Sequence, residues 1–110
     1  MASTPLGAFE ELVLLAVAML NDEAYGISVL NELNSQTGRL LTLGAVHTTM
    51  YRLQEKGFLE SRMGGATRQR GGRRKRLFRI TGTGIATLQN SRQIRERMWN
   101  LATNLGGSAS

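Results

Sequence analysis

Apolar residues recur at helical spacing in four stretches of the chain and at strand spacing in two. Ala8 to Leu20 comes first, and its core, LVLLAVAML, is apolar all round. That pattern predicts a helix buried on most sides. Asn21-Asp22-Glu23 breaks it and can cap the next helix. This second helix spans Ala24 to Gln36, with Ile27, Leu30 and Leu33 as its inward face, Val29 beside them, and Gly38 as a left-handed stop. Gly26 predicts close helix packing, and Tyr25 packs as an amphipathic core residue. Arg39 to Thr42 is a short link that could supply one strand of a small sheet.

The third helix runs from Leu43 to Lys56, with Gly57 as the residue just beyond its cap. Val46, Met50 and Leu53 fall at i, i+4 and i+7, one helical face. Phe58 to Met63 then reads as a strand, with Phe58 and Glu60 on one side and Leu59 and Ser61 on the other. Gly64 to Arg74 is a glycine-rich loop. Lys75 to Ile80 returns as a second strand, with Phe78 and Ile80 on one face. Thr81-Gly82-Thr83-Gly84 is a turn in which Thr81 or Thr83 can cap the last helix. That helix extends from Gly84 to Leu105, about 33 Å at the usual rise. Ile85 and Leu88 begin its apolar stripe, and Ile94, Met98, Leu101 and Leu105 continue it as a heptad-like seam. Met1 to Gly7 and Gly106 to Ser110 read as frayed ends.

The resulting fold class is mainly α with a small β-hairpin: a winged helix-turn-helix plus one long C-terminal dimerisation helix. Residues 1–82 make up the DNA-binding domain, and residues 83–110 the dimerisation helix and flexible end. A helix this long has little to pack against within a chain of 110 residues. Ile94, Met98, Trp99, Leu101 and Leu105 are therefore expected at a two-fold dimer interface.

Charge sharpens this picture. Residues 1–38 hold five acids and no Lys or Arg, a charge of −5. Residues 39–110 hold fourteen bases and three acids, +11, which gives the net +6. Half of all the bases fall between Arg68 and Arg79, in RQRGGRRKRLFR, a stretch with no acid. A surface polarised in this way points to a polyanion. Arg68, Arg70, Arg73, Arg74, Lys75 and Arg76 are the wing candidates for phosphate contact, which gives affinity without reading sequence. On the third helix Thr48, Tyr51 and Arg52 lie opposite the apolar face, flanked by His47 and Thr49. This set can address base edges and phosphates in a major groove. An ordinary solvated helix face is the plain alternative. For His47, packing within the fold competes with a phosphate contact.

These residues resemble the PadR-like transcriptional regulators. The resemblance covers Leu6 to Leu105. It rests on the apolar first helix, on Ala24-Tyr25-Gly26, on GAVHTTMYRLQEKGFLES from Gly44 to Ser61, and on GGRRKRLFRIT from Gly71 to Thr81. It implies a bacterial, homodimeric winged-helix regulator of double-stranded DNA, usually a repressor, and the lack of cysteine suits a cytoplasmic setting. His47-Thr48 stands where many members have Tyr-Pro, so base preference does not carry over. One helix after the wing is similar to the short-form members. Some members stack a small planar aromatic effector on tryptophan between dimer helices, so Trp99 is either an effector platform or an interface core residue.

Several classes are disfavoured. The chain has no cysteine, which removes disulfides, zinc-thiolate sites and thiol catalysis. One histidine and scattered carboxylates give no triad and no paired acids, so no enzyme, metal or cofactor is expected. The Gly-Gly pairs lack a phosphate-loop pattern. The longest apolar run, Leu12 to Leu20, is too short for a membrane span, which needs about 20 residues. The remaining alternative is a winged-helix architectural or protein-interaction module that holds an acidic partner through the basic loop.

Overall fold

The computed structural model describes residues 6–64 and 74–102. In order these form α1 (Ala8–Leu20), a 3-10 turn (Asn21–Glu23), α2 (Gly26–Thr37), α3 (Leu43–Glu55), β1 (Leu59–Met63), β2 (Arg76–Ile80) and α4 (Gly82–Leu101). The chain is mainly helical with one antiparallel hairpin, as the pattern predicts. The hairpin register pairs Leu59 with Ile80, Ser61 with Phe78, and Met63 with Arg76. Arg68, Arg70, Arg73 and Leu105 lie outside the described residues, as do the expected ends at 1–5 and 106–110.

No strand forms at residues 39–42. The link is held instead by side chains of α2: Arg39 N donates to Thr37 Oγ1 (3.2 Å) and Leu41 N to Asn34 Oδ1 (2.9 Å). Gly38 closes α2 in the left-handed region at φ 69°, as expected.

α1 is the centre of the molecule. Its Val13, Leu14, Ala16 and Val17 meet Val29 and Leu33 of α2, Val46, Met50 and Leu53 of α3, and Phe58, Leu59 and Phe78 at the hairpin. Two expectations about the core need correction. The first is that α1 is not enclosed by its own chain. Leu12, Leu15 and Met19 are exposed, and they fall on one stripe of the helix. The second concerns α2, whose inward face is Gly26, Val29 and Leu33, whereas Ile27 is 40% exposed. An i, i+3, i+6 series drifts by about 60° per step, so Ile27 and Leu33 do not share a face.

α4 leaves the body from a fixed first turn. Thr81 Oγ1 accepts from Gly84 N (3.0 Å) and donates to the Gly57 carbonyl (2.7 Å). Gly84 itself is pressed against the Phe58 carbonyl and Ile80, where a Cβ would collide. Beyond Ser91 every helical residue is exposed.

Candidate nucleic-acid interface

α3 is positioned by its two ends and by its buried face. At its start Thr42 Oγ1 accepts from Ala45 N (3.1 Å), which satisfies one of the free amides of the first turn. At its end Gly57 turns at φ 83°, and Phe58 N donates back to the Leu53 carbonyl (2.9 Å). Only glycine adopts this backbone without strain, so just three residues separate the end of the helix from the start of the strand. Val46, Met50 and Leu53 are completely buried, as their spacing predicts.

The opposite face presents His47, Thr48, Tyr51 and Arg52 to solvent. Thr49 does not join them. It is 5% exposed, so its side chain faces inward and cannot reach a groove. At about 100° per residue Thr49 lies only about 60° from Val46, which puts it on the margin of the core arc. Tyr51 is 45% exposed and packs edge-on to Phe78 of β2 at 5.6 Å between centroids. Its ring therefore bridges α3 to the hairpin as well as facing outward. His47 sits 6.4 Å from Tyr51 and rests against Gly26 at the start of α2. A Cβ at Gly26 would overlap the imidazole, so glycine permits the close approach of the two helices at this point.

Of the wing candidates, Arg74, Lys75 and Arg76 are described. Arg74 is exposed. Lys75 Nζ stands 4.1 Å above the Tyr25 ring, a cation–π contact that ties the base of the wing to the start of α2. Arg76 donates to Ser61 Oγ (3.1 Å), and Ser61 donates to Gln54 Oε1 of α3 (3.0 Å). Sequence reading missed this relay. Arg76 and Ser61 are diagonal partners across the hairpin, so an assigned register would have brought them together. Arg79 lies 3.9 Å from both Asp22 and Glu60 and is well exposed, a weak pair of ion contacts.

A third support for α3 also escaped the sequence. Lys56 Nζ, just past the helix, binds Glu10 Oε2 of α1 at 2.8 Å, while Gly7 N donates to Glu10 Oε1 at 2.8 Å. The Glu10 side chain is only 10% exposed. Burial acts most strongly on its carboxyl and works to raise the pKa. The Lys56 and Gly7 hydrogen bonds and the charges of Lys56 and Arg52 together outweigh burial and hold the pKa below its ordinary 4.5. Glu10 is therefore a charged anchor at the C-terminal end of α3.

On another side of α1, α4 diverges and leaves an apolar groove of about 520 Å³ lined by Leu15, Ile85, Leu88 and Trp99. Trp99 is 67% exposed, and Met98 and Leu101 are exposed as well. At about 100° per residue Trp99 shares the groove side of α4 with Leu88. Ile94, Met98 and Leu101 form a separate stripe. The helix thus carries two apolar faces rather than the single seam expected. Among the described residues no cluster of His, Cys, Asp or Glu could hold a metal ion, and no helix is long and apolar enough to cross a membrane.

Two helices packed on α1, an exposed polar face on α3, and a hairpin with basic residues at its loop end define a winged helix-turn-helix protein. The family model for the transcriptional regulator PadR-like family matches residues 14–90, and the chain belongs to that family. It is accordingly a DNA-binding transcriptional regulator. A comparison with curated protein sequences finds none that matches. Among solved structures, a PadR-like transcriptional regulator from Bacillus cereus superposes with a TM-score of 0.72 at 18% identity, covering 89% of this chain and 90% of that one. A PadR-like transcription factor from Bacteroides fragilis gives 0.71 at 17%, covering 86% of each chain. BpsR of Bordetella bronchiseptica, whose DNA binding is regulated by 6-hydroxynicotinic acid, gives 0.68 at 17%, covering 98% of this chain and 74% of that one. At these identities the likeness is one of fold.

Proposed function

We propose that the protein is a homodimeric repressor that reads an imperfect DNA palindrome. Residues 1–82 form its DNA-binding unit, and residues 83–110 form its dimerisation arm. The observation that carries the reading is the split of α3. Val46, Met50 and Leu53 are buried, while His47, Thr48, Tyr51 and Arg52 are exposed beside a basic hairpin. Thr48 and Arg52 address base edges or phosphates in the major groove, with Tyr51 and His47 at the margin. Arg74, Lys75 and Arg76, continuing the basic run from Arg68, Arg70 and Arg73, hold the neighbouring backbone.

Dimerisation is supported by apolar surface left open on two helices. The α1 stripe of Leu12, Leu15 and Met19 faces solvent, and so do Ile94, Met98, Trp99 and Leu101 of α4. A second copy that laid its α4 along this surface would cover both, and Leu105 would extend the contact. The groove beside Trp99 also suits a flat aromatic effector, a reading supported by the regulation of BpsR by 6-hydroxynicotinic acid.

Selection from a randomised duplex library at near-physiological salt tests the reading. A two-fold symmetric enriched motif is the expected outcome. Binding without any enriched motif would overturn sequence-specific regulation in favour of an architectural role.

A further inference from the structure

Glu10 and Glu11 are consecutive in the first turn of α1, and about 100° separates them around the helix. Glu10 reaches towards the recognition helix and binds Lys56 at 2.8 Å. Glu11 reaches towards α4. One of its oxygens accepts from Ser91 Oγ, and the other lies 3.1 Å from the Arg95 guanidinium. Ser91 and Arg95 are four residues apart and therefore share one face of α4. The Glu11 side chain is 16% exposed. Among the described residues, these are the polar contacts that cross from α1 to α4. Glu11 and Arg95 also line the open apolar groove, beside Leu15, Leu88 and Trp99.

We propose that Glu11 is a positioning residue that sets the angle of the α4 arm. Its neighbour Glu10 fixes α3 to the same turn of α1, so arm and recognition helix share one mount. The inference rests on the proposed dimeric, DNA-binding function. In a dimer joined through α4, the angle of the arm determines how far apart the two recognition helices lie. α4 is 20 residues long, about 30 Å at the usual rise. A tilt of about 10° about the fixed first turn of α4 moves the far end by about 5 Å, more than the rise of about 3.4 Å between base pairs. Hydrophobic contact in an open groove does not fix an angle to that tolerance, because it is non-directional. A half-buried carboxylate that accepts a hydrogen bond from Ser91 and pairs with the Arg95 guanidinium on the same helical face is directional.

The test uses the full chain and duplexes built on the half-site that selection enriches, with the half-sites moved apart or together by single base pairs. The wild type should lose about fivefold or more in affinity for each displaced spacing, a coupling of ordinary size. Glu11→Gln should flatten this profile to less than about twofold while the preferred half-site sequence stays the same. Arg95→Gln changes an exposed side chain and should flatten it likewise, which keeps the test open if Glu11→Gln fails to fold. Glu10→Gln should weaken all spacings alike. A Glu11→Gln or Arg95→Gln protein that folds and keeps the wild-type profile would overturn the proposal and leave the dimeric reading standing. A wild type indifferent to spacing would overturn the dimeric reading, and this inference with it.

Discussion

His47 rests on Gly26, and the two belong to the successive helices α2 and α3. Gly26 is the first residue of α2, where alanine would ordinarily gain about 0.5–1 kcal/mol from reduced chain entropy. Gly26→Ala should cancel that gain by pushing the exposed imidazole aside. Its melting temperature should stay close to that of the wild type while DNA affinity falls. In a His47→Ala background the same substitution should stabilise. Thermal melts of the three variants check this, and a loss of stability in the His47→Ala background would exclude the ring as the obstacle. Glu10 gives a prediction in pH. Its folded-state pKa is lowered, so its contribution is present above the ordinary 4.5 and disappears as pH falls through the folded value. The difference in unfolding free energy between wild type and Glu10→Gln, from urea melts, should be flat between about pH 7 and 5 and shrink below 4.5. Lys56→Met, which leaves that carboxylate without its partner, should cost about 1–3 kcal/mol at neutral pH.

At the scale of elements, recognition helix and wing should separate experimentally. Arg74→Gln and Arg76→Gln should each lower the slope of log affinity against log salt by about 0.9, with the preferred sequence unchanged. Thr48→Ala should leave that slope alone and relax one position of the motif. Titrations at several salt concentrations on the enriched duplex decide between these outcomes. Much of this level was legible in the sequence because it is local. Thr81 caps its helix, Gly38 and Gly57 turn in the left-handed region, and Val46, Met50 and Leu53 share a buried face, all within a few residues of their partners. The contacts that spacing could not supply are long-range. Glu10 and Lys56 are 46 positions apart and Glu11 and Ser91 are 80, so only the packed fold brings them together. Tyr51 reads as a free recognition residue because nothing in its own helix reveals that Phe78 of the hairpin takes one edge of its ring. Thr49 is a different kind of miss, since its helical angle is available from the sequence and places it on the margin of the core.

At the scale of the whole molecule, the chain is longer than a compact body of its size. Its Cα radius of gyration is 16.4 Å, against about 13 Å for a compact domain of some 100 residues. The excess is the α4 arm, which projects from the core with its apolar residues uncovered. Met98→Glu or Leu101→Glu should give a monomer in sedimentation experiments and abolish binding to the paired half-sites. Because neither residue is buried in the single chain, the fold of one subunit should survive, as far-ultraviolet dichroism would report. The clamped start of α4 has one further consequence, for how the gene can vary. Gly84 is wedged against the Phe58 carbonyl, and Ser91 and Arg95 meet Glu11 from a helix already phased by that wedge. A single codon inserted between Leu88 and Ser91 would rotate everything beyond it by about 100°. Ser91 and Arg95 would both leave Glu11, and Trp99 would turn out of the groove. Length variation along this arm is therefore expected only past Trp99, and the segment from Thr81 to Trp99 should behave as a fixed reading frame in three dimensions.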